Sequence, residues 1–436
     1  MWPIFTAFLQ GNFMTSSSFA HHAESQSSAA PAIQALNGRA YTVMLTITII
    51  AGLEMGLLIL DISPILPLVR QRFGVGYVEA GWAISAAIIC HTLAVALAGF
   101  IAGRTGPRPL LLTGLALCLI STIMRALAPT FPVFVASRAV TGLGTGCIVI
   151  GGITAITLLS PVKRHVRDQG YFGAAQQLGI MLTLLIAPVG VARFGIPIFW
   201  GMFAGELALV LAACVLFYPR AHPQAQSPEP ARAQPLAMAR DRYGWLLSLT
   251  NMAGYGAFVG VTGWTSSFLI TRYHTSPAQT ALLASGAALF AFFGRLAASP
   301  LLRVMSQRWL MGGFTTITAI SLAATPFAPN QQIAALLLLV FSLSSSVPFG
   351  VVFGSIANHP APAGISRRIM LVAINSNAVA LLLPLLIGYT VSLTNEFSLG
   401  FWLIAALVGL VAIVLLRSRM LQTPSATAGT PAAKTV

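Results

Sequence analysis

Residues 41–66 read YTVMLTITIIAGLEMGLLILDISPIL, a run in which Glu54 and Asp61 are the only charges. A helix needs roughly 20 apolar residues to cross a hydrocarbon core about 30 Å thick, and a longer one can tilt. Eleven similar runs follow, at 78–102, 109–127, 132–158, 170–192, 197–218, 243–270, 277–298, 308–327, 331–356, 366–390 and 396–417. The chain of 436 residues is 56% hydrophobic and 8% charged, against about a quarter charged in soluble domains. The reading is an all-α membrane protein with 12 transmembrane helices.

The net charge of +15 would suit nucleic acid, but the basic residues lie in short loops between spans and not in a patch with interleaved aromatics. No nucleic-acid partner is expected. Cys90, Cys118, Cys147 and Cys214 all fall inside apolar runs, with neither metal nor disulfide spacing, and read as small core residues. No GxxxxGK[ST] loop occurs, and no Ser/His/Asp or Cys/His order stands out. Neither an enzyme nor a cofactor or metal protein is expected. A membrane enzyme or a receptor would need a catalytic constellation or a soluble domain.

Basic residues also orient the chain. With the N-terminus cytoplasmic, seventeen arginines and lysines, Arg39, Arg104, Arg108, Lys163 and Arg417 among them, fall inside, and only Arg70, Arg72, Arg193 and Arg272 outside. The positive-inside rule then puts both termini in the cytoplasm, for a chain in a bacterial inner membrane. Residues 219–242, PRAHPQAQSPEPARAQPLAMARDR, form a proline-rich wet linker. It separates an N-terminal six-helix bundle, 41–218, from a C-terminal one, 243–417. Residues 1–40 and 418–436 are expected to be disordered, and Met1 to Met14 lacks the basic flank of a signal peptide. The halves echo each other 200 residues apart: Arg72-Phe73 matches Arg272-Tyr273, and Arg108 matches Arg308. Such parallel repeats build one class of transporter around a central site.

Two motifs sharpen this. Gly99-Phe100-Ile101-Ala102-Gly103-Arg104-Thr105-Gly106-Pro107-Arg108 is close to G-x-x-x-D-R-x-G-R-[KR], a tight turn with arginines bonding helix ends. Arg138-Ala139-Val140-Thr141-Gly142-Leu143-Gly144-Thr145-Gly146 is similar to R-x-x-x-G-x-G, a flat glycine surface for close helix packing. On these motifs and the six-plus-six layout, 41–417 resembles the major facilitator superfamily of secondary transporters. The resemblance implies two six-helix bundles rocking about a midplane site, with Gly99, Arg104, Gly106 and Arg108 as a cytoplasmic gate motif. Gly103 stands where the family usually has Asp, which removes the expected charge relay. The fifth span lacks the G-P-x-x-G-G cluster of many drug antiporters.

Charges inside the spans are the candidate site residues, since a central charge costs about 2.5–3.5 kcal/mol unless it meets a partner or water. Glu54 and Asp61 are seven apart, which on a helix places them within about 20° of one face and roughly 10.5 Å apart. That face is expected to be wet. The resemblance implies that the first and fourth spans line the cavity, and the depths of Asp61 and Arg138 match to about one turn. An Asp61–Arg138 pair is therefore expected, with Glu54 near the midplane. Desolvation favours the protonated form of a carboxyl, making Glu54 the first candidate proton carrier. His91, at similar depth, is a second, and Asp61 a third.

Arg138 and Arg295 are candidate substrate ligands; Gly294-Arg295 resembles a position used for carboxylates in relatives. Snorkelling to the interface is the alternative for Arg295, while Arg125, near an outer helix end, is expected to snorkel or cap. Glu206, on a span that the resemblance makes peripheral, is expected in structural pairing. Gln176, Asn251, Tyr255 and Asn375 complete the candidate substrate site, with Gln177 and Asn377 as weaker members; Asn251 and Tyr255 share a helix face. The expectation is a monomeric, proton-coupled symporter of a small solute, inclined to an anion. Drug/proton antiport is the alternative: multidrug exporters also combine an acidic first span with a fourth-span arginine.

Overall fold

A computed structural model describes residues 36–220, 238–359, 361 and 364–421. Most of the expected linker and of both expected disordered tails lies outside these residues; the tail ends that are described are partly helical, at residues 38–40 and at Arg419–Leu421. The helices are α1 (Gly38–Ile59), α2 (Leu66–Phe73), α3 (Tyr77–Thr105), α4 (Pro107–Ala126), α5 (Phe131–Leu159), α6 (His165–Phe217), α7 (Arg242–Asn251), α8 (Ala257–Tyr273), α9 (Pro277–Leu301), α10 (Gln307–Ala324), α11 (Gln331–Ser346), α12 (Pro348–Gly354), α13 (Ile365–Thr394) and α14 (Ser398–Arg417). No strand occurs among the described residues.

Among the described residues, ten helical stretches are long and apolar enough to cross a membrane, against twelve spans expected. The difference lies in two irregularities. The fifth and sixth spans run together as α6, divided by a kink at Gly195, whose φ is 75°. The seventh is interrupted by a π-helical segment, Met252–Gly256, between α7 and α8. Counting the two arms of α6 separately and α7–α8 as one recovers twelve.

The first span is shorter than its apolar run. Pro64 and Pro67 follow Asp61 closely, and proline both lacks an amide donor and disfavours helix at the residue before it. α1 therefore ends at Ile59, and Asp61 lies in the turn beyond it. The same-face argument for Glu54 and Asp61 fails for that reason.

The 200-residue echo holds in the fold. Tyr77 and Pro277, Pro107 and Gln307, Phe131 and Gln331, and His165 and Ile365 are the first residues of matching helices. Matching contacts repeat as well. Tyr41 Oη donates to Asp168 at 2.8 Å, and 200 residues on Arg368 Nε donates to Asp241 at 2.7 Å. Ala128 O accepts from Arg72 Nη2, and Ala328 O accepts from Tyr273 Oη, a donor one place out of the 200-residue register.

The apolar core is divided unevenly. One cluster draws on both halves, with Ala98, Ala102, Ile153 and Phe172 beside Leu310, Phe353 and Ile369. It lies toward the end of the molecule where α3 stops and α13 starts. Toward the opposite end the clusters keep to one half each. Contact between the halves runs along α6 with α9 and α3 with α13.

Candidate functional site

Arg295 on α9 is 3% exposed. Its Nη1 donates to Gly173 O at 2.7 Å and to Gln176 Oε1 at 2.9 Å, and its guanidinium carbon lies 4.1 Å from the Phe349 ring centroid. Snorkelling is thus corrected: the side chain turns inward and ties the second half to α6 of the first. Arg125, Arg138 and Arg368 are also buried, and each meets an aspartate. Arg295 pairs with no carboxylate among the described residues. Its Nε and the Nε2 of Gln176 are buried donors without an acceptor among those residues. Beside them is a cavity of about 10 Å³ lined by Asn251, Tyr255, Ser345, Ser346 and Phe349, room for a single water.

The expected asparagines stitch α7 to α13. Asn251 Nδ2 donates to Ser376 Oγ at 2.8 Å and Asn375 Nδ2 to Ser248 Oγ at 2.9 Å. Asn377 bonds back to Ala373 O on its own helix. Of these, Asn251 and Tyr255 border the Arg295 cavity and Asn375 does not. Gln177 is buried, with Nε2 unpartnered.

Asp61 and Arg138 form the expected pair, with Nη1 to Oδ1 at 2.8 Å. Arg138 does more: Nη1 also donates to Leu58 O, Nη2 to Ile59 O and Nε to Ala83 O. It thereby caps the last carbonyls of α1, the negative end of that helix. Every guanidinium nitrogen of Arg138, expected as a substrate ligand, is committed to protein oxygen in this state. Arg125 is corrected likewise, being fully buried, bonded to the other Asp61 oxygen and to Thr141, and stacked 4.4 Å from the Trp200 ring centroid.

Glu54 is 0% exposed. It interacts with Glu206 and with the Cys118 thiol, on α6 and α4, so it turns away from the Arg295 cavity and the wet face expected for it is not found. His91 Nδ1 and Thr145 Oγ1 are hydrogen-bonded at 3.0 Å, where α3 and α5 meet. Helix contact there is close because Gly142 and Gly146 lack side chains. A Cβ on Gly142 would strike Ala87 O, and one on Gly146 would lie 2.6 Å from Ala94 Cβ. In the loop motif Gly106 takes φ 76°, which side chains rarely tolerate; Arg108 Nη2 bonds Val215 O at 2.9 Å while Arg104 is exposed. Gly99 abuts Met370 and Gly103 approaches Ser366, both on α13.

A larger cavity of about 460 Å³ lies between α6, α8, α9 and α11, nearer the opposite end. Met181, Leu185, Leu282 and Leu339 form its walls, with Gln279 and Gln331 among its polar groups.

The family model for the Major Facilitator Superfamily matches residues 44–373. The chain belongs to that superfamily. Among curated members it is 25% identical over 252 residues to a probable L-galactonate transporter of Escherichia coli, covering 52% of this chain and 54% of that one. It is 22% identical over 160 residues to the quinolone resistance protein NorA of Staphylococcus aureus, covering 36% and 41%. The chain thus spans about half or less of the length of these relatives. The fold is that of the human organic anion transporter TETRAN (TM-score 0.75, 17% identity, 87% of this chain and 100% of that one). It is also that of the Escherichia coli fucose:proton symporter FucP (TM-score 0.71, 13% identity, 87% and 100%). Around Arg295, sequence reading missed the partners Ser345, Ser346 and Phe349, whose only signal was a polar Ser344–Ser346 run inside an apolar span.

Proposed function

We propose that this transporter carries a small organic anion in symport with protons, binding its carboxylate at Arg295. The carrying observation is the pair of buried donors, Arg295 Nε and Gln176 Nε2, that have no acceptor among the described residues. A buried cation without an acid is costly, and a carboxylate supplies both the missing charge and the missing acceptors. The relative named for L-galactonate, itself a carboxylate, agrees with that chemistry. Asn251, Tyr255 and the serines of α11 would grip the rest of the solute.

The cavity at Arg295 has room for one water only, so binding requires the bundles 41–218 and 243–417 to part. The core shared by both halves seals one end, which the basic loops mark as cytoplasmic. This state is therefore read as closed inward, in a monomer of a bacterial inner membrane. A second reading, efflux of lipophilic drugs driven by protons, draws on the apolar cavity of about 460 Å³ and the NorA relative.

The test is a thermal-unfolding screen of purified protein against L-galactonate, lactate, benzoate and lipophilic cations, since a ligand of the folded state raises the midpoint. Stabilisation by an acid, lost in Arg295→Ala, is expected. Stabilisation by cations alone would replace the anion reading with efflux.

A further inference from the structure

The cavity of about 460 Å³ between α6, α8, α9 and α11 shares no lining residue with the Arg295 cavity. It lies on the seam between the halves, with Met181 and Leu185 from the first and Leu269, Leu282 and Leu339 from the second. Leu185 and Leu282 are 46% and 69% exposed, so its mouth opens sideways onto hydrocarbon. Polarity within it is graded. Thr275, Gln279, Gln331 and Gln332 stand where α9 and α11 begin, and the walls below them are apolar. Ser285, the polar side chain set deeper, is already engaged within the protein.

The lining runs from Gln279 to Leu289 on α9 and from Gln331 to Leu339 on α11, which at ~1.5 Å per residue is roughly 12–15 Å. Half of a hydrocarbon core about 30 Å thick, the share of one leaflet, has that depth. Spread over this length, the volume is a slot of roughly 30 Å² in section, the girth of a single fluid alkyl chain. Charge continues the grading. Exposed Arg193 lies two turns beyond Leu185 on α6, and exposed Arg272 stands three residues before Thr275. No acid occurs in the segments 181–193, 269–289 and 331–339. A slot that is apolar at bilayer depth and edged by cations complements an amphiphile with an alkyl tail and an anionic head.

We propose that this slot holds one acyl chain of an anionic phospholipid from the leaflet at this end, with the lipid phosphate at the edge bearing Arg193 and Arg272. Lipid is the abundant neighbour, and an empty slot would leave its walls without contacts on one side. It also gives the cavity an occupant other than a lipophilic drug. Because the walls come from both halves, movement of the halves at this end changes the width of the slot. A seated acyl chain therefore favours the state in which the shared core seals the opposite end. That consequence rests on rocking of the two bundles; the binding itself does not.

A phosphatidylglycerol with a diazirine midway along one acyl chain tests this in liposomes containing the full-length protein. After irradiation, mass spectrometry should find adducts concentrated on Met181, Leu185 and Leu282. Gly286 lines the slot, and beyond its own helix a Cβ there would meet only Leu339 Cδ2, at 3.5 Å. Gly286→Phe should therefore fill the space and cut these adducts about tenfold, while adducts on other flanks persist. A melting curve checks folding, and Ala335→Leu is the filler that carries the comparison if the phenylalanine variant does not fold. Arg193→Gln combined with Arg272→Gln should abolish the preference for phosphatidylglycerol over a phosphatidylcholine bearing the same diazirine. Adducts spread evenly over the flanks, or unchanged by the filler, would overturn the proposal, as would equal labelling of the wild type by the two lipids. No solute is needed, so the outcome is independent of anion binding at Arg295.

Discussion

Asp61 accepts a hydrogen bond from Arg138 Nη1 at 2.8 Å, fastening the turn after α1 to α5. Arg125 holds the other oxygen of the same carboxylate. One acid thus offsets two buried cations, and the clamp spans three helices.

Removing that acid should be severe. Breaking a buried ion pair by deleting one partner costs about 3–5 kcal/mol, so Asp61→Asn is expected to lose most folded protein in detergent, read by size-exclusion yield and unfolding midpoint. Pairing it with Arg138→Gln should restore only part of the loss, because Arg125 still lacks its acid. Full recovery in the double variant would show that Arg125 is not held by Asp61.

Arg295→Ala should weaken an anionic ligand by roughly tenfold to a hundredfold, following about 1.5–3 kcal/mol for a charge-assisted hydrogen bond. Calorimetric titration with the acid that stabilises the wild type would measure it. Arg295→Lys keeps the charge but not the planar fork, and should recover part of the affinity. Unchanged affinity in both variants would remove Arg295 from the site.

Gly142→Val should overpack the seam between α3 and α5, where the neighbour is the backbone oxygen of Ala87 and cannot rotate aside. A loss of about 1–3 kcal/mol is expected, visible as a lower unfolding midpoint. Gly201→Ala, whose added Cβ would meet nothing within 4 Å, is the control and should be nearly silent.

The repeat gives a paired comparison. Tyr41→Phe removes one hydrogen bond from Asp168, which keeps Arg167, and should cost about 0.5–1.5 kcal/mol. Asp241→Asn, at the matching position, strips the acid from buried Arg368 and should cost about 3–5 kcal/mol. Equal midpoint shifts would show that the two contacts are not energetically distinct.

Much of this was legible in the sequence because hydropathy and length are local properties. Apolar runs located the spans, and the 138–146 glycines correctly signalled a packing face. The depth match of Asp61 and Arg138 was enough to find their pair. What failed was rotation. Periodicity tells which residues of a helix share a face, but not which neighbour that face meets. Glu54 was therefore expected in a wet cavity, whereas it meets Glu206, 152 positions away on α6. Arg125 was assigned to the interface because it lies near a helix end, yet the re-entrant turn at Asp61, forced by nearby prolines, reaches it there.

The doubling of the chain is plain in the order of its helices and lopsided in charge. Two hundred residues before Arg295 stands Val95, buried and apolar. If Arg295 is the proposed hook for an anion, only one of two jaws cut from one pattern bears it, and the cargo's charge is met from that side alone.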